Sequence, residues 1–132
     1  MLPISVCIIG KNEEKFIEGC LKHLSAYDWE IIYVDTGSTD KTRSIALKYT
    51  DNVYDFEWIK DFSAARNFAA SKATRDWILA IDCDEYVEKF NVKALTEMLK
   101  AYPDSSAFID IHNLASDMVN YTRSEVYRLY PK

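Results

Sequence analysis

The stretch Trp77-Ile78-Leu79-Ala80-Ile81-Asp82-Cys83-Asp84-Glu85 decides how this chain folds. Five apolar residues in a row, ended abruptly by carboxylates, describe a strand buried on both faces that stops at a polar loop. Asp82 and Asp84 stand at alternate positions just past that strand. Two close carboxylates repel each other unless a proton, a cation or water compensates, and a divalent metal is the natural solution. Mg2+ or Mn2+ suits such a pair, because magnesium is commonly held by one or two carboxylates plus substrate phosphates and keeps water in its other positions. An Asp-x-Asp in isolation is most often a solvated acidic loop. Its position after a buried strand, with two other polar strand ends in the same chain, reverses that balance.

Those two ends lie upstream. Ile4-Ser5-Val6-Cys7-Ile8-Ile9 is a short apolar, β-branched run that stops at Gly10, and Glu30-Ile31-Ile32-Tyr33-Val34-Asp35 is a second, followed by the turn residues Thr36-Gly37-Ser38-Thr39-Asp40. Between them, Asn12-Glu13-Glu14 predicts the opening of a helix whose apolar face is Phe16, Ile17, Cys20, Leu21 and Leu24. A helix over Lys41 to Tyr49, a weak strand over Val53 to Phe56, and a helix capped by Asp61 or Ser63 and running to Ala73 lead up to Trp77. Beyond Glu85 come a helix from Val92 to Ala101, a stop at Pro103, a strand from Ala107 to His112 and another near Glu125 to Tyr130. Strands alternating with helices imply right-handed crossovers and an α/β fold with a mainly parallel sheet flanked by helices. The ligand site of such a sheet lies beyond the carboxyl ends of its strands, so Gly10 to Glu13, Asp35 to Asp40 and Asp82 to Glu85 are expected to meet in one cleft.

The 132 residues amount to a single domain, and 48% hydrophobic with 28% charged residues is ordinary globular composition. A net charge of −5 disfavours nucleic acid, since no basic stripe is available to displace counterions. The apolar run from Leu2 to Ile9 is too short to span a bilayer and lacks the basic flank and cleavage site of a signal peptide, which reads as a cytoplasmic protein without a transmembrane segment. Cys7, Cys20 and Cys83 have no metal or redox spacing and read as a strand filler, a helix filler and a small loop residue. Neither His23 nor His112 lies in a metal or triad pattern, no GxSxG elbow is present, and one glycine in Thr36 to Asp40 makes a dinucleotide-type phosphate loop a weak reading. A strand-end carboxylate such as Asp35 is placed to accept from a base or ribose, or, alternatively, to cap its own turn through Ser38. Arg66 and Asn67 sit in a helix otherwise rich in alanine and phenylalanine, where a cation faces either solvent or a ligand phosphate or base.

Taken together, Ile4 to Glu14 (ISVCIIGKNEE), Ile31 to Thr42 (IIYVDTGSTDKT), Phe62 to Asn67 (FSAARN) and Trp77 to Val87 (WILAIDCDEYV) resemble, in order and spacing, the family 2 glycosyltransferases. The resemblance covers the first ninety or so residues and is far more specific than the Asp-x-Asp alone. It implies a GT-A fold that transfers a sugar from a nucleoside-diphosphate sugar, commonly a UDP-sugar, to an unidentified acceptor, with inversion and with Mg2+ or Mn2+ bridging the diphosphate. On the same resemblance Asp35 matches the base-binding aspartate, Asp82 the ribose-side carboxylate beside the metal, and Asp84 the principal metal ligand. Asn12 and Glu13 line the nucleotide pocket, and Arg66 with Asn67 match a pocket-facing pair.

In relatives the general base and the acceptor surface come from chain beyond this region, so residues 1–132 are expected to be one GT-A domain lacking its C-terminal acceptor-binding part. Glu85 and Asp110 have no spacing argument in their favour, and the base is left unassigned. Two other classes stay open: a non-catalytic nucleotide-sugar-binding fragment or scaffold, and a haloacid-dehalogenase-like phosphatase with Asp82 as nucleophile, against which the motif's distance from the first strand counts. A terminal patch of Tyr121, Val126, Tyr127, Leu129 and Tyr130 is expected to support self-association.

Overall fold

The computed structural model describes residues 2–87, 90–114 and 121–132, with 107–114 and 121–127 described by their backbone alone. At its centre is β1 (Ile4–Gly10), whose side chains alternate between two cores: Ile4, Val6 and Ile8 on one face, Cys7 and Ile9 on the other. The strand continues to Gly10, one residue further than the apolar run, because Gly10 still pairs with the neighbouring strand.

The helix that follows does not open at Asn12. That residue takes a left-handed backbone (φ 54°), residues 14–16 form a turn, and α1 spans Ile17–Leu24. Asparagine is among the few residues that adopt this conformation readily. Of the predicted apolar stripe, Ile17, Cys20, Leu21 and Leu24 are buried, while Phe16 stands before the helix and is only partly covered. β2 (Glu30–Asp35) comes next, then α2 (Thr42–Ala46), which is shorter than the Lys41 to Tyr49 predicted. Past Ala46 the amides of Lys48 and Tyr49 bond to carbonyls three residues back, so the segment tightens out of α geometry. β3 (Val53–Asp55) and α3 (Phe62–Lys72) follow, and of the two caps weighed for α3 it is Asp61 that accepts from Ala64 N at 3.2 Å. The decisive stretch forms β4 (Trp77–Asp82). α4 (Val92–Ala101) matches its predicted bounds, and the chain closes with the antiparallel pair β5 (Ala107–Leu114) and β6 (Tyr121–Pro131).

These strands form one mixed sheet in the order β3-β2-β1-β4-β6-β5, with β3, β2, β1 and β4 parallel and β6 antiparallel to both its neighbours. The chain moves outward from β1 through β2 to β3 and then returns to β1's other side as β4. The order therefore reverses between β1 and β4, which is where ligands bind in open α/β sheets. One face is covered by α1, α2 and α4, whose Ile17, Leu21, Leu24, Ala46 and Leu99 meet Val6, Ile8, Tyr33 and Leu79. The other carries α3, with Ala69 and Ala73 against Cys7, Ile32, Val34 and Ile78. The predicted terminal patch is corrected in part. Leu129 is buried in the first core and is not offered to another chain, while Tyr130 packs partly buried against the second. The side chains of Tyr121, Val126 and Tyr127, like those of Asp110 and His112, lie outside the described residues.

Gly10 is a packing requirement. A Cβ there would lie 2.5 Å from Cys83 Sγ and 3.1 Å from Tyr33 Oη, at the point where β1, β2 and the turn after β4 press together. Cys83 is thus a buried wedge under the strand end, not merely a small residue in a loop. Gly10→Ala is expected to lower stability by about 1–3 kcal/mol, the usual range for overpacking. Adding Cys83→Ala should recover part of the loss, as read by urea denaturation of the single and double variants.

Candidate functional site at the strand ends

The parallel register sets the site. Gly10 lies opposite Asp35 across the β1–β2 ladder, and Ile9 lies opposite Asp82 across the β1–β4 ladder. Three polar segments far apart in sequence therefore leave the sheet side by side, as their strand-end positions predicted.

Two of them are laced together. The Asn12 side-chain oxygen accepts from Thr39 N at 2.8 Å and from Asp40 N at 3.4 Å, while Asn12 N donates to Ser38 Oγ at 2.9 Å. Glu13 N donates to Thr42 Oγ1 at 2.8 Å, and Lys41 N to a Glu14 carboxylate oxygen at 3.1 Å. The left-handed turn at Asn12 is what aims these groups across the gap.

Asp35 is the hub of the second segment and is 4% exposed. Its Oδ1 accepts from Tyr33 Oη at 2.7 Å and Ser38 Oγ at 2.6 Å, and its Oδ2 from Gly37 N at 3.1 Å and Ser38 N at 2.8 Å. Of the two readings of Asp35, the contacts are those of the cap: it holds its own turn through Ser38. Burial alone would raise its pKa, but the hydrogen bonds from Ser38, Tyr33 and Gly37 outweigh it and hold the carboxyl below the ordinary value.

The third segment is the turn after β4, closed by Glu85 N donating to Asp82 O at 3.1 Å. Asp82 and Asp84 keep access to solvent, Asp82 with about half its side chain exposed. Glu85 does not: it is 4% exposed, its Oε1 accepts from Asp82 N at 2.5 Å, and it pairs with Arg128 Nη1 at 3.0 Å. As a general base Glu85 would have to abandon the turn it holds shut. Burial pushes the Glu85 carboxyl above the usual range despite those contacts.

Electrostatics tie the first segment to the third. The Glu13 carboxyl is raised above its ordinary value by burial and then by the charges of Asp84, Asp82 and Asp40. The carboxylates of the first and third segments are thus close enough to feel one another's charge. Among the described residues no three His, Cys, Asp or Glu side chains come together as a ready-made metal cage. Asp82 and Asp84 fit instead the sparse carboxylate pair that holds Mg2+ or Mn2+ jointly with phosphate and water.

On the α3 side, Arg66 lines a pocket with Ile9, Ala69, Asp82, Arg128 and Tyr130. Asn67, next to it, is exposed on α3. Arg128 was not singled out from the sequence, where one arginine in a late strand reads as a solvated position. No helix among the described residues is long and apolar enough to cross a membrane.

Residues 5–131 match glycosyl transferase family 2. The chain belongs to that family. Its relatives include a TPR repeat-containing protein of Synechococcus elongatus, 35% identical over 135 residues, covering 99% of this chain and 33% of the relative. Among solved structures, Staphylococcus aureus TarS 1-349 in complex with UDP superposes with a TM-score of 0.65 at 27% identity, over 77% of this chain and 33% of that one. Glucosyl-3-phosphoglycerate synthase of Mycobacterium tuberculosis, in complex with Mn2+ and UDP-glucose, does so with a TM-score of 0.52 at 29% identity, over 63% of this chain and 33% of that one. The fold of this family 2 glycosyltransferase chain is of the GT-A type, and the chain spans about a third of the length of the curated relatives it matches.

The hub at Asp35 has a pH signature. A carboxyl whose folded pKa lies below its unfolded value, about 3.9 for aspartate, adds stability that is fully present above the unfolded value. That stability is lost as pH falls through the folded one. Asp35→Asn is expected to lose about 1–3 kcal/mol at pH 7, because its hydrogen bonds lose their charge assistance and an amide nitrogen replaces the oxygen that accepts from the Tyr33 and Ser38 hydroxyls. The gap between wild type and variant should narrow at pH 3. Urea unfolding at both pH values checks this, and an equal gap at both would count against the hub.

Proposed function

We propose that this chain binds the donor of a family 2 glycosyltransferase, a nucleoside-diphosphate sugar and specifically a UDP-sugar, together with Mg2+ or Mn2+. The observation that carries the reading is the register that sets Gly10 beside Asp35 and Ile9 beside Asp82, so that a nucleotide-facing loop pair and an acidic pair share one cleft. Asp84 and Asp82 hold the metal, which supplies charge for the diphosphate. Asn12 and Glu13 line the nucleotide side. Asp35 meets the base with an N–H taking the place of the Ser38 hydroxyl on Oδ1. Arg66 and Asn67 border the pocket from α3. UDP in the TarS complex and Mn2+ with UDP-glucose in the synthase complex support this donor class.

Transfer to an acceptor, with inversion, is the activity of the whole enzyme. The acceptor surface and the general base belong to chain beyond residues 1–132, which the relatives' greater length supports. The cytoplasm is the proposed location.

The test is calorimetric titration of the chain with UDP and UDP-sugars, with and without Mn2+. Binding should require Mn2+ and fall at least about tenfold in Asp84→Ala, the scale expected when a ligand to a bound metal is removed. Absence of nucleotide binding by a folded sample would overturn the proposal.

A further inference from the structure

The Arg128 guanidinium stands at an irregularity in the sheet. Along the β5–β6 ladder the register jumps from Ala107 opposite Leu129 to Phe108 opposite Tyr127, which leaves Arg128 with no opposite number. This is a β-bulge, and bulges re-aim the extra residue's side chain and end local pairing. On the other edge of β6 the ladder to β4 runs from Trp77 opposite Pro131 to Leu79 opposite Leu129 and stops there. Ala80 O, the next β4 carbonyl, accepts instead from Arg128 Nη1 at 3.1 Å. The same nitrogen donates to Glu85 Oε1 at 3.0 Å, and Nη2 lies 3.8 Å from Asp82 Oδ2.

One cation thus spans the first β4 carbonyl past the β4–β6 ladder, the buried carboxylate that closes the turn, and an exposed member of the acidic pair. Glu85 Oε1, which it holds, is also the acceptor for Asp82 N. The other oxygen, Oε2, is buried without a hydrogen-bond partner among the described residues, so the Asp82 amide and the ion pair with Arg128 together compensate for burying this carboxylate.

We infer that Arg128 is a positioning residue of the donor site: the β6 bulge delivers its guanidinium to the Asp82–Glu85 turn and fixes that turn, and Asp82 with it, before a cation arrives. The inference rests on the donor reading above and extends it to a residue in the strand that follows. A lysine is a single-point substitute that meets fewer of these acceptors at once.

Two measurements on the full chain test it. The first needs no ligand: hydrogen exchange at the Asp82 amide reports whether Glu85 still holds the turn. Arg128→Ala should accelerate that exchange at least about tenfold, as expected when a charge-assisted contact of about 1.5–3 kcal/mol is lost. Ile78, whose backbone faces Tyr130 in the intact β4–β6 ladder, should stay protected, and Arg128→Lys should lie between. Unchanged Asp82 exchange overturns the inference, as does equal loss of protection at Ile78, which would mean only a loosened sheet. The second is titration with UDP in the presence of Mn2+. Arg128→Ala should weaken binding by about tenfold, with part of the loss restored in Arg128→Lys. Full affinity in a variant whose Asp82 amide exchanges fast would show that the clamp serves the fold and not the site. If the wild type itself binds no UDP, the donor reading fails and takes this role with it, while the exchange data still say whether the clamp exists.

Discussion

Everything at the site depends on the two parallel ladders that flank β1. They pair Gly10 with Asp35 and Ile9 with Asp82, and because a slip by one residue would move every β1 side chain into the opposite core, packed for a different set of shapes, the three strand ends are held level with one another. The apolar cores on both sides of β1 enforce that register. The loops are then free to be polar, since their placement is paid for by the sheet beneath them. Gly10 shows how tight the arrangement is: the buried thiol of Cys83 and the phenol of Tyr33 occupy the space where any side chain would go.

Above that platform, charge is handled differently on the two sides. Toward β2, Asp35 is saturated by hydrogen bonds from its own turn, which keeps its carboxylate ionised and the loop closed. Toward β4, Asp82 and Asp84 are left partly exposed near Glu13, with Arg128 as the nearby cation of the turn. The first carboxylate organises its own loop, while the others keep access to solvent. Both kinds stand within the span of three neighbouring strands.

Much of this was legible in the sequence because it is written in period and composition. The run Trp77 to Ile81 names a buried strand, the carboxylates after it name the strand end, and the same pattern at Gly10 and Asp35 predicts the cleft. Other features escaped for physical reasons. The late start of α1 follows from a left-handed Asn12 whose side chain is drawn to amides 27 and 28 residues away, a tertiary contact that overrides local helix signals. The shortness of α2 reflects a tightening turn past Ala46 that helix propensity does not encode. Arg128 escaped because a bulge is a property of the pairing between two strands, and neither strand alone shows it. The terminal apolar residues look exposed in the sequence only because β4, the strand that β6 docks on, is nearly fifty residues upstream.

The order of the strands also bears on how the chain is made. β1 acquires β2 early, but its other edge waits for β4, which lies about seventy residues later in the chain. At about 5–20 residues per second, a ribosome leaves that edge open for several seconds, with unpaired amides and β-branched side chains on both faces. An open, flat, apolar edge is a template for another strand. The apolar central strand of this fold is therefore the one whose second edge stays open while some seventy further residues are made.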